Sequence, residues 1–197
     1  GIVKPRIEDT VHVSIYADNW FALFVNGRLV AVDPIEFLPH NVVTIDLLPQ
    51  YPMTIAVLAK DNADPVTGLE YGDQIGDGGF ILRMSDGTAT SAKWKAKSFF
   101  SAPGVPGKPE RREEIPPSWF AVDFDDSNWA AATVYSPADV RPPPTFRAAD
   151  FSGAEFVWSG DLARDNTVIL RAKVERPGWR PLWNTTPDLD LREAPFR

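Results

Sequence analysis

ADNWFALFVNGRLVAVD, residues 17–33, decides the fold. Its apolar residues fall into two short runs, WFALFV (20–25) and RLVAV (28–32), parted by Asn26-Gly27. Asn-Gly accepts the positive φ angles that a tight two-residue hairpin requires, so the pattern predicts two antiparallel strands. Upstream, VHVSIYA (11–17) alternates Val11, Val13 and Ile15 with His12, Ser14 and Tyr16, giving one buried and one wetter face. Downstream, VVTIDL (42–47), MTIAVLAK (53–60), GFILRM (79–84) and TVILRAKVE (167–175) recur with turn residues between them. In the last of these, Val168, Leu170, Ala172 and Val174 face one way, and Thr167, Arg171, Lys173 and Glu175 the other. Short β-branched and aromatic runs of this kind, repeated along the chain, predict an all-β antiparallel sandwich of two packed sheets.

Composition narrows the function. The chain has 197 residues, of which 19 are prolines, about twice the usual share. They cluster at 103–117 (PGVPGKPERREEIPP) and 137–144 (PADVRPPP), which read as extended linkers or surface loops, and they make long helices improbable. No apolar run approaches the roughly 20 residues of a membrane-spanning helix. A net charge of −7 argues against duplex nucleic acid and against an anionic membrane as partners, because both demand clustered positive charge. The absence of cysteine removes disulfides, thiolate-bound metals and thiol nucleophiles. His12 and His40 stand in unlike contexts and read as surface histidines. Gly1 opens the chain without a charged n-region and an apolar h-region, which leaves open whether a signal peptide was removed or never existed.

Five segments in order resemble the galactose-binding-domain-like β-sandwich, the jelly roll that accompanies many glycoside hydrolases. They are ADNWFALFVNGRLVAVD (17–33), VVTIDLLPQYPMTIAVLAKDN (42–62), SDGTATSAKWKA (85–96), SWFAVDFDDSNWAAATV (118–134) and FVWSGDLARDNTVILRAKV (156–174). The resemblance covers about residues 11–175. It implies a jelly-roll sandwich over residues 1–176, a role as a non-catalytic accessory module, and an extracellular or periplasmic location. The insertion at 103–117 and the stretch from 177 to 197 are not part of the pattern. The latter, with its prolines and no sustained period, is expected to lie as an extended C-terminal arm over the body.

Several residue sets carry candidate chemistry. The acidic, glycine-rich segment DNADPVTGLEYGDQIGD (61–77) is the richest supply of oxygen ligands. Asp61, Asp64, Glu70 and Asp73 are candidate calcium ligands, although the spacing matches no EF-hand loop; a solvated loop between strands is the plainer reading. For carbohydrate, Asp61, Asn62, Asp73 and Asp77 offer hydrogen bonds, and Tyr71 offers a ring among polar neighbours. Trp179 and Trp183 stand outside periodic structure and offer rings for sugar stacking, or serve to pin the arm. Trp20, Trp94, Trp119, Trp129 and Trp158 lie in or beside strands and read as core. DFDDSNW (123–129) contains paired carboxylates that a glycoside hydrolase could use; a tight turn with Phe124 and Trp129 as apolar plugs explains it better. The GDGG run (76–79) lacks the lysine and the strand-to-helix setting of a phosphate cradle. Asn184-Thr185-Thr186 is a glycosylation sequon.

These readings lead to a lectin-like, non-enzymatic module that binds a carbohydrate through edge loops. The alternative is a structural or filament-assembly subunit whose arm docks on itself or on another protein.

Overall fold

A computed structural model describes residues 1–35, 42–62, 64, 66, 67, 69, 70, 74–103 and 110–185, with Glu70, Gln74 and Ile75 described in backbone only. The early strands are β1 (Val11–Asp18), β2 (Trp20–Val25), β3 (Arg28–Val32), β4 (Val43–Leu47) and β5 (Met53–Lys60). Next come the short pair β6 (Leu69–Glu70) and β7 (Gln74–Ile75), then β8 (Gly79–Met84) and β9 (Lys95–Ser101). The chain closes through β10 (Arg111–Arg112), β11 (Ala130–Ala131), β12 (Thr133–Tyr135), β13 (Phe156–Trp158) and β14 (Asp165–Val174).

One sheet runs β12-β13-β8-β1-β4 and the other β10-β9-β14-β5-β2-β3, with β11 also on β9. Their strand pairings are antiparallel, and the two sheets pack as a sandwich. Period two decides which side chains meet between them. Val13 and Ile15 of β1, Phe21 and Leu23 of β2, Ile55 and Val57 of β5, and Val168 and Leu170 of β14 fill one buried cluster. The hairpin turn has φ of 49° at Asn26 and 77° at Gly27, both in the left-handed region that Asn-Gly accepts. The Asn26 side chain also binds the next strand, accepting from the Thr54 amide at 2.8 Å and donating to Gln50 O at 2.9 Å.

Both outer faces are covered, which the alternation alone does not reveal. Tyr16 is fully buried rather than on a wetter face, because it packs with Ile81, Val140 and Phe156, and only His12 of its trio is exposed. His12 pairs across the strands with Asp46 at 3.0 Å. On the other sheet, Trp119 and Trp129 lie over Ala56, Phe99 and Ile169, joined by Phe124. Arg171, on the expected polar face of β14, is therefore 2% exposed. Its guanidinium pairs with Asp126 at 2.7 Å and donates to the carbonyls of Trp119 and Ala121.

The proline-rich stretch from 137 is not wholly extended. Pro137–Val140 form a one-turn helix, α1, in which Pro137 sits in the first turn and Ser136 and Asp139 make a capping box. Proline has no amide to leave unpaired at that position, so the helix starts where a loop was expected. Pro144–Ala148 make a 3-10 turn. The GDGG run has a packing use: a Cβ on Gly78 would stand 2.8 Å from the Trp158 indole, and Gly79 has a φ of 157°. No helix among the described residues is long and apolar enough to cross a membrane.

Candidate functional site

The strands order the candidate residues along the sandwich. In the β5–β14 pair, Lys60 faces Thr167 at one end and Met53 faces Val174 at the other. Seven steps at about 3.3 Å each separate the two ends by roughly 23 Å. Asp61, Asn62 and Asp77 sit at the first end, and Trp179 and Trp183 belong to the second, beyond Val174. Among the described candidates, the fold therefore does not bring Asp61, Asn62 and Asp77 together with Trp179 and Trp183. Tyr71 and Asp73, and the His40 imidazole, lie outside the described residues, as does the Glu70 side chain.

At the first end, Asp61 continues the inward phase of Met53, Ile55, Val57 and Ala59 and is 1% exposed. Its amide donates to Asn166 O at 2.9 Å, and the Asn62 amide donates to Asn19 Oδ1 at 2.7 Å. Asp77 is held by Arg141, the residue that ends α1. Asp64 is exposed and closes its own turn, accepting from the amides of Val66 and Thr67 at 2.8 Å each. Those bonds, the Thr67 amide first, hold its carboxyl below the usual carboxylate value. Among the described residues, no three His, Cys, Asp or Glu side chains converge as metal ligands. Of the four candidate calcium ligands, Asp61 and Asp64 are the two whose side chains are described, whereas calcium takes six to eight oxygens.

At the second end, the arm builds an aromatic row. The Trp179 ring meets Tyr51 edge-on with centroids 5.2 Å apart, and Trp183 meets Trp179 at 6.0 Å. All three residues are half-buried. Arg176 lies over the Tyr51 ring at 5.2 Å and pairs with Asp86 at 3.2 Å, and the Tyr51 hydroxyl donates to the same carboxylate. Burial, followed by the bond to Asp86, pushes the Tyr51 phenol up to about 12. Burial works against ionisation of Asp86, but the Tyr51 hydroxyl, the Thr88 amide and Arg176 outweigh it and hold that carboxyl below its usual value. Asn184 fastens the arm to the N-terminal lead: the Val3 amide donates to its Oδ1 at 2.6 Å, and its own amide donates to Val3 O at 2.9 Å.

Beside this row opens a cleft of about 550 Å³. The hairpin turn after β8, from Asp86 to Ser91, forms one wall; Lys173, Glu175 and Arg176 at the end of β14 form the other. Its charges are mixed, with Lys173 paired to Glu175 at 3.0 Å and Arg176 to Asp86. Such a site can take hydroxyl hydrogen bonds in the cleft and a ring contact at its edge. Tyr51, Asp86 and Arg176 were not singled out in the sequence. Their pairing is tertiary, and the one local signal is the Asp86-Gly87 turn, where Gly87 has a φ of 90°.

The remaining candidates are structural in geometry. Trp94, Trp119, Trp129 and Trp158 are buried and Trp20 is half-buried. In DFDDSNW, Asp125 accepts from the Ser127 amide at 3.0 Å and Asp126 holds Arg171, while Phe124 and Trp129 plug the outer apolar cluster. No protein-family model, no curated protein and no solved structure matches the chain.

Proposed function

We propose that the chain is a non-catalytic carbohydrate-binding module, a jelly roll of the galactose-binding-like kind, which grips a neutral glycan at the arm end. The row of Tyr51, Trp179 and Trp183 beside a polar cleft carries this reading. Two-ringed indoles give a sugar's apolar face a large contact at small entropic cost, and the mixed charges of the cleft suit hydroxyl groups, which both donate and accept. A non-enzymatic role is supported by the use of Asp126 to hold the buried Arg171. The net charge of −7 supports a partner that is neither nucleic acid nor membrane. The extracellular or periplasmic location rests on the resemblance alone. Calcium enters as a support for the 61–77 connection, with Asp61, Asp64, Glu70 and Asp73 as donors; a rise in Tm on adding calcium tests it.

The test is a glycan array followed by calorimetry on the best neutral oligosaccharide. Trp179→Ala and Trp183→Ala should each weaken binding at least tenfold, and full affinity in both variants would refute the site.

A second reading, an assembly subunit, is favoured by one observation. Ile2 and Leu182 are each 77% exposed, one on each of the two segments that Asn184 fastens together. Deleting residues 177–197 discriminates: loss of oligomers with glycan binding intact supports assembly, and loss of glycan binding by a monomer supports the module.

A further inference from the structure

One edge of the sandwich holds a second cleft of about 340 Å³, between β9 of one sheet and, from the other, β12 and the Ser159-Gly160 turn after β13. It is at the small end of the roughly 300–1,000 Å³ usual for ligand clefts. Asp165, at the start of β14, lines its base and is 7% exposed. One carboxylate oxygen accepts from Ser101 Oγ and the other from Ser159 Oγ at 2.7 Å. An ionised carboxylate has about four acceptor positions, so each oxygen keeps one for a ligand.

Arg111 stands over this carboxylate without closing on it. Its Nη2 is 3.8 Å from Asp165 Oδ1, 3.4 Å from Ser101 Oγ and 3.5 Å from Ser98 O. These contacts are at or beyond the outer limit of a hydrogen bond. Glu113 balances the mouth, pairing with Lys97 at 2.9 Å and standing 3.4 Å from Arg111. Ala96, Ala130 and Ala131 leave the space between open.

We propose that this cleft binds one pyranose unit of a neutral carbohydrate, through Asp165 as acceptor and Arg111 as donor, at a site separate from the arm. It takes its ligand class from the carbohydrate reading above. A hydroxyl is the group that satisfies a carboxylate and a guanidinium side by side, since it donates to one and accepts from the other. A ligand carboxylate would meet Asp165, and a ligand ammonium would meet Arg111 and Lys97. A neutral sugar with adjacent hydroxyls avoids both penalties.

The test is an amide-detected NMR titration of the full chain with methyl galactoside, methyl glucoside and methyl mannoside. At least one should give saturable shifts at Ser98, Arg111 and Gly160. Arg111→Ala, which removes the donor, and Ala131→Trp, which fills the space from an exposed position, should each weaken those shifts at least tenfold while the rest of the spectrum stays native. Two results would overturn the proposal: cleft shifts undiminished in both variants, or no cleft response while the indoles of Trp179 and Trp183 respond to sugar. Response in the cleft with silent arm indoles would instead remove the arm site and keep this one.

Discussion

Trp179 presses its ring edge-on against Tyr51 at 5.2 Å, so the arm is fastened to the sandwich by the same residue that donates to Asp86. The proposed sugar platform and the arm anchor are thus one structure. Trp179→Ala should cost about 1–2 kcal/mol of stability, below the 3–5 of a fully buried aromatic because the ring is half-buried. Urea unfolding measures this, and limited proteolysis should show faster cleavage beyond Val174.

The same anchor responds to acid. The Asp86 carboxyl is held below its ordinary value of 3.8, so its contribution is complete above that value and is lost as the pH falls through the lower folded one. The folded state takes up this proton less readily than the unfolded chain, which fixes the sign. Indole fluorescence should report release of the arm below pH 3.8, and Asp86→Asn should abolish that step.

Alkali acts on the other partner. Tyr51 is raised from 10.0 to about 12, so the folded state keeps its proton where the unfolded chain has lost it. Its contribution is whole below pH 10.0 and disappears as the pH rises to about 12. Tyr51→Phe should flatten the fall in Tm across this window.

Arg171→Ala should be among the most damaging single changes. It strands Asp126 and the carbonyls of Trp119 and Ala121 under the Trp119–Trp129 cover, for a loss of about 3–5 kcal/mol. Chemical denaturation with an unchanged m-value would measure it. Gly78→Ala drives a methyl against the rigid Trp158 indole and should cost about 1–3 kcal/mol.

Much of the sandwich was legible in the residues. Asn26-Gly27, the alternation of Val11 to Ile15 and the run Met53–Lys60 each mark their element through local backbone preference and period two. β9 is not legible in the sequence because its inward positions are Ala96 and Ser98 while Phe99 points outward, which blurs the pattern. Arg171 and Tyr16 looked solvated because nothing local announces that segments 115–129 and 140–156 lie over the sheets. The arm's indoles were legible as outliers from periodic structure; their partners Tyr51, Asp86 and Arg176 were not, since three distant turns place them together. Asp165 lay just ahead of the strand expected from 167, so its place at the base of a cleft depends on Ser101 and Ser159 arriving from other strands.

The central claim is that the arm-end rings contact sugar. The most direct measurement follows the indole N–H signals of Trp179 and Trp183 during titration with the neutral oligosaccharide that binds best on an array. Saturable shifts of both signals, with an affinity equal to the calorimetric one, are the predicted result. Tight binding that leaves both indoles unmoved would contradict the account.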